Sequence, residues 1–389
     1  MPSKKIYRTA PCAKFDIGRI ESWLTDMAAD GWHLQKRGLL FVFEKGEPQE
    51  VRYRLEPKQD FGDIDQKPER SIREVYEACG WEAVTDYGSF FIFRAVDEQA
   101  RELHTDSLVH AASIRRLIRQ NCVLYLLEAY LVISRMLSLA MEPSRWLITY
   151  GTFVTVCFAV LLIAAMGIMI HDAVRLIALY RHLKACKPLD HRKPWRRGAI
   201  WHRLGSVALV TVYVLFIVMM LSRCTDLMQD SSIHINDYPG DPPFVTIQDL
   251  YPEGEYDNST SFAGYNHYTS YKSSNAPVNI EWREYATVTM PDGTALEGAI
   301  IVMYHETKNT EFARELAEEY QRRAYGKNDY QEIPAPDVEA EFIAAYSDMA
   351  SQNVILQKGN IVVQVGFTIQ DEDGYPLEKW VDLMLQMLK

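Results

Sequence analysis

Between Trp146 and Ile170 the chain reads WLITYGTFVTVCFAVLLIAAMGIMI, without a single charged residue. At about 1.5 Å per residue such a helix is roughly 37 Å long, enough to cross a hydrocarbon core of about 30 Å with some tilt. Leu204–Ser222 is a second uncharged run, and Cys122–Met141 a third, interrupted only by Glu128 and Arg135. In lipid, backbone amides are satisfied only within a helix or a closed barrel. The three runs therefore predict membrane helices over about 120–141, 146–170 and 204–222, with the lipid bilayer as the first partner.

Charge predicts the orientation. The net charge of −11 and the mean hydropathy of −0.18 average over unlike parts. Residues 1–114 hold 16 basic and 20 acidic side chains, residues 171–203 hold nine and two, and residues 223–389 hold 11 and 28. Short basic loops stay on the cytoplasmic side. The loop 171–203 is accordingly predicted to be cytoplasmic, with Arg175, Arg181, Lys184, Lys187, Arg192, Lys193, Arg196 and Arg197 as basic residues at the membrane surface, drawn to anionic headgroups. Arg115, Arg116 and Arg119 precede the first span. With three spans the N-terminus is inside and the acidic C-terminal part outside, in a multi-pass bacterial membrane protein. The opening MPSKKIYRTA has no apolar leader, in keeping with an N-terminus kept inside. All six cysteines precede residue 225 and none forms a CxxC pair. No disulfide-stapled outer domain is predicted, and no metal or other cofactor.

Within residues 1–114 an apolar stripe (Ile17, Ile20, Trp23, Leu24, Met27) predicts a helix with Asp16 as N-cap and Gly31 as stop. Strands follow around Trp32–Leu34, Leu39–Glu44 (with Phe41 and Phe43 on one face) and Val51–Leu55. The order then recurs: a helix over Ser71–Cys79, Gly80-Trp81, and Phe91 with Phe93. Aligned on Gly-Trp, the halves give GWHLQKRGLLFVF and GWEAVTDYGSFFIF, an internal repeat of helix and hairpin. An antiparallel sheet covered by two helices on one face is expected, in a ferredoxin-like arrangement.

The set WLTDMAADGWHL, FVF and VRYRLE resembles the signature of the bacterial family of domain of unknown function 2812, on Trp23, Leu24, Met27, Ala28, Gly31, Trp32, Leu34, Phe41, Phe43 and Tyr53. The resemblance covers roughly residues 10–100. It implies a domain placed before several membrane helices, with genes that often neighbour PadR-type transcriptional regulators. Trp23, Trp32, Trp81, Phe41 and Phe43 are candidates for a ligand or partner-binding face. Their plainer reading is the core of a small domain.

Two ionisable residues, Glu128 and Arg135, stand inside a predicted span. Seven residues apart, they share one helix face about 10 Å apart along the axis, too far for an ideal ion pair. Residues 223–277 are rich in Ser, Asp, Asn, Pro, Gly and Tyr, which predicts a stem or loops. From residue 278 to 389 an α+β domain with an antiparallel sheet is expected. It has hairpins around Pro291-Asp292-Gly293 and Lys358-Gly359, helices over Thr310–Arg323 and Pro376–Leu388, and an acidic run Asp371–Asp373 read as a solvated turn. His305-Glu306 lacks the second His of a zinc-protease helix. No GxSxG, Walker A or GxGxxG motif occurs, and no nucleic-acid reader motif.

The expected fold class is thus two α+β domains flanking a helical membrane section. The expected function is a non-enzymatic sensory or regulatory link, with a cytoplasmic regulator, a membrane complex subunit or a second copy of the chain as partner. The rival expectation is an accessory or structural subunit of a membrane transporter complex.

Overall fold

A computed structural model of the chain describes residues 4–58, 67–96, 99–102, 107–187, 189–229, 233–259, 266–325, 330–347 and 350–388. The chain divides into two compact units. Met1–Arg135 joins Val160–Tyr213 in the first, and Met136–Ala159 joins Val214–Lys389 in the second.

In the first unit the repeat is longer than the sequence pattern indicated. Each copy is strand, helix, hairpin: β1 (Lys5–Arg8), α1 (Ile17–Ala29), β2 (Trp32–Arg37) and β3 (Phe41–Lys45), then β4 (Tyr53–Pro57), α2 (Arg70–Ala78), β5 (Trp81–Tyr87) and β6 (Phe90–Ala95). The expected ferredoxin-like sheet is replaced by two three-stranded antiparallel sheets, ordered β1-β3-β2 and β4-β6-β5. Each hairpin's second strand is central, because the strand before the helix takes its free edge. The ladders superpose pair by pair: Lys5↔Glu44 corresponds to Arg54↔Phe93, and Arg8↔Phe41 to Pro57↔Phe90. Even the register shift recurs, between Leu34 and Lys36 in one copy and Ala83 and Thr85 in the other. Gly31 and Gly80 end their helices at φ of 77° and 87°, the left-handed conformation that lets the chain turn straight into a Trp-led strand.

Three helices are long and apolar enough to cross a membrane, within α3 (Ser107–Met141), α4 (Pro143–Lys184) and α5 (Arg196–Gln229). They outrun the expected spans. Residues 171–184 continue α4 and 196–203 open α5, so the predicted basic loop shrinks to residues 185–195. Leu176 and Leu183 explain the continuation: both are buried against the N-terminal core and extend the apolar stripe past the last residue of the uncharged run. Two glycines interrupt regular geometry, Gly151 (φ 79°) near the start of α4 and Gly198 (φ 89°) near that of α5.

The second unit is built on a nine-stranded antiparallel sheet. Its hairpin strands are β10 (Val278–Thr289), β11 (Ala295–Glu306), β14 (Gln352–Lys358) and β15 (Ile361–Phe367), with β12 (Gln331–Ile333) and β13 (Phe342–Ser347) along one edge. Of the expected stem over 223–277, residues 233–259 and 266–277 are instead part of this domain. β7 (Ile233–His234) and β9 (His267–Tyr271) extend the other edge, β8 (Glu255–Asp257) pairs with the far end of β10, and α6 (Ile247–Leu250) lies between. Apolar residues scattered among the prolines, Phe244, Val245, Ile247, Leu250 and Tyr251, are all buried on one face of the sheet. With them packs α8 (Leu377–Met387), through Leu377, Trp380, Val381 and Met384. The opposite face carries α7 (Thr310–Tyr325), whose Phe312, Ala313, Leu316, Ala317 and Tyr320 meet Ile355 and Val362. The period of two is visible on β14, where Val354 and Leu356 face α8 and Ile355 faces α7.

Candidate functional site on the connections between the apolar helices

Helix α1 buries acidic side chains where its sequence would suggest only an apolar stripe. Glu21 is 1% exposed. One of its carboxylate oxygens accepts the Leu55 amide at 2.8 Å, and the other meets Nδ1 of His191 at 2.5 Å. Asp16 is also buried, facing Arg19 at 2.9 Å, Lys193 at 3.3 Å and Arg175 at 3.8 Å. Asp26 accepts the indole N–H of Trp195 at 2.9 Å and lies 3.5 Å from Arg196. Arg192 pairs with Glu50. Residues 190–196, the second half of the connection from α4 to α5 and the first residue of α5, are thus gripped by the N-terminal domain. A helical glycine permits the approach: a Cβ on Gly18 would stand 2.1 Å from the carbonyl oxygen of Asp190.

Apolar contacts run through the same place. Phe15, Ile17 and Trp23 share one core with Ala111, Ile114 and Leu117 of α3 and with Leu176 and Leu183 of α4. Cys12 lies in this core, where burial, and secondarily the charge of Asp16, pushes its thiol up to about 12, so it stays a protonated, inert packing group.

The second unit grips the start of α4 in a different way. Glu319 on α7 is 2% exposed, and its two oxygens accept the backbone amides of Ser144 (2.8 Å) and Arg145 (3.0 Å). Those amides belong to the first turn of a helix, where backbone donors have no partner of their own and an anion is favoured. Burial raises the Glu319 carboxyl above its ordinary range, and these amides pull it partly back. At the other end of this first stretch Asn275 spans the Gly151 break, donating to the Leu147 carbonyl before it at 3.2 Å and to the Thr152 hydroxyl after it at 2.9 Å. Lys308 holds the oxygen of the same amide at 2.8 Å. A carboxylate at one end and an amide donor at the other match the polarity of a helix. Leu147 and Ile148 insert between them into the α7 core.

Beside this grip lies a cavity of about 350 Å³ lined by Arg145, Ile148, Thr149, Tyr271, His305 and Tyr320, among others. Asn279, His305 and Tyr320 form a buried hydrogen-bonded chain. The Asn279 amide nitrogen donates to the carbonyls of Tyr271 and Ala276, so its oxygen must accept from Nδ1–H of His305 at 2.8 Å. Nε2 of His305 is then the acceptor for the Tyr320 hydroxyl at 2.6 Å. Burial holds the His305 pKa down to about 4, so the ring is neutral near pH 7.

The residues singled out from sequence fall in three places. Trp23, Trp81, Phe41 and Phe43 point inward as core, Trp23 meeting both phenylalanine rings edge-on, and Trp32 alone is half-buried. Of the basic residues, Arg175, Arg192, Lys193 and Arg196 pair with acids of the N-terminal domain, whereas Arg181, Lys184, Lys187 and Arg197 stand exposed. Pro188, beside them, lies outside the described residues. Glu128 and Arg135 are exposed on α3 and have no ion-pair or hydrogen-bond partner among the described residues. Sequence reasoning missed Glu21, Gly18, Glu319 and Asn275. A glutamate inside an apolar stripe and a glycine inside a helix were the available signals for the first two.

The N-terminal grip coincides with a recognisable boundary. Residues 16–127 match the model of a family described as "Protein of unknown function (DUF2812)". Over these residues the N-terminal segment is similar to that family. Its match begins at Asp16 and ends within α3, beyond the residue 100 reached by the sequence resemblance. The DUF2812 segment therefore includes the turn of α3 that shares its core. No curated protein and no solved structure is significantly similar to the chain.

Proposed function

We propose that this chain is an integral membrane protein that acts as a non-enzymatic regulatory link, with its DUF2812 domain in the cytoplasm and its C-terminal domain outside the cell membrane. The observation that carries the reading is that α4, two helical stretches joined at Gly151, is gripped on its short first stretch by the C-terminal domain and near the end of its long second stretch by the DUF2812 domain. The basic connection favours the cytoplasmic side for the second grip, and an odd number of spans then puts the first grip outside. A ligand or load on the C-terminal domain would shift α4, and the clamp on residues 190–196 would report it. The partner proposed for the inner face is a cytoplasmic transcriptional regulator of the PadR type, as the family resemblance implies.

Coupling between two sites is a free energy and can be measured. In the full-length chain in bilayers, Glu319→Ala with Asn275→Ala is expected to raise amide exchange over residues 189–195 and the first turn of α1, as well as locally at 144–150. Exchange that rises at 144–150 and stays unchanged at 189–195 would contradict the link.

A further inference from the structure

Exposure alone distinguishes no face of an apolar helix that lies in lipid, but charge does. On α3, Leu124, Glu128, Leu131 and Arg135 follow a spacing of four, three and four residues. At 3.6 residues per turn they fall within an arc of about 60°, the seam geometry of two packed helices. Leu124 and Leu131 are 46% and 51% exposed, and Glu128 and Arg135 are exposed with no hydrogen-bond or ion-pair partner among the described residues. Between Arg119 and Glu142 these two are the only charged residues. Glu128 is about 12 Å from one end of that uncharged stretch and Arg135 about 10 Å from the other, both within a hydrocarbon core of about 30 Å. A glutamate side chain is too short to reach the interface from that depth. Facing lipid, each charge costs roughly 2.5–3.5 kcal/mol on insertion scales, so such residues are retained where something pairs with them.

We infer that this seam docks a single membrane helix of a different protein, one that carries Lys or Arg at the depth of Glu128 and Asp or Glu at the depth of Arg135. A second copy does not fit. Closed oligomers of a membrane protein are related by rotation about the membrane normal, which leaves every residue at its own depth. Glu128 of one copy would then remain about 10 Å from Arg135 of the next and face only its own like. The inference needs α3 to lie in the membrane. It does not need the two soluble domains to lie on opposite sides, so it stands or falls apart from the regulatory link.

Benzoylphenylalanine at Leu131, in the full-length chain in its native membrane, tests it. The control is the same probe at Leu126, which is 66% exposed on the opposite side of the helix. The expected result is an adduct at 131, absent at 126, that maps to a membrane helix bearing a basic residue within one turn of the depth of Glu128. Its yield should fall about tenfold in Glu128→Lys and return when the partner's basic residue is exchanged for Glu. Glu128→Gln, which keeps the size and removes the charge, should lower the yield in the same direction. Three results would overturn the proposal: an adduct of two copies of this chain, lipid adducts alone at both positions, or a protein adduct whose yield ignores the charge at 128.

Discussion

His305 shows how one side chain converts burial into pH dependence. Its ring has an ordinary pKa of 6.5 when unfolded and about 4 when folded, because burial disfavours the charged form. Above pH 6.5 the ring is neutral in both states and contributes no pH dependence. Between pH 6.5 and 4 the unfolded chain takes up a proton that the folded chain refuses, so stability falls, by about 3 kcal/mol in all, and the loss levels off below 4. Pulse proteolysis of the full-length chain in urea should show this fall, and His305→Gln should remove its share of the slope. An unchanged slope would mean that His305 does not titrate in that range. Gly18 sets the other residue-scale expectation. Gly18→Ala places a methyl where the Asp190 carbonyl stands and should loosen the clamp by about 1–3 kcal/mol. Faster protease cleavage within residues 185–195 is the measurement, and wild-type resistance is the contrary result.

Among the elements, α1 shows most clearly what periodicity reveals and what it hides. Its apolar stripe and glycine stop were readable, since they are set by neighbours three and four positions away; Asp16 stands at the N-cap position, but its side chain makes no capping hydrogen bond and pairs with Arg19, Lys193 and Arg175 instead. Glu21 was not, because its partners, the Leu55 amide and the His191 ring, lie 34 and 170 positions off. Glu21→Ala should leave that amide without its acceptor at a cost of about 1–3 kcal/mol, read as faster exchange at Leu55. Exchange as slow as in the native chain would show that water replaces the carboxylate without loss. The hairpins around Gly293 and Gly359 were equally legible, each turn using a positive-φ glycine. Sheet order was not. β1, a four-residue strand, carries no pattern that foretells its place beside β3, and without it the repeat read as helix and hairpin alone. The segment 223–277 misled for a similar reason: Phe244 to Tyr251 lie in polar, proline-containing sequence, and only the finished sheet gives them a face to cover.

At the scale of the whole molecule, composition foretold three membrane-capable helices between two α+β regions, and the fold has that order. What composition could not foretell is that neither α+β domain hangs free. Each is fixed to a helix connection through buried carboxylates, Asp16 and Glu21 in one unit and Glu319 in the other. If lipid separates those connections, α4 is the element through which one domain can influence the other. Sidedness therefore tests the account most directly. Cysteine placed singly at Glu47 and at Glu372, both exposed, in a chain whose native cysteines have been replaced, would be treated with a membrane-impermeant maleimide. The account predicts that intact cells label position 372 at once and position 47 only after permeabilisation. Labelling of both, or of neither, on intact cells would contradict it.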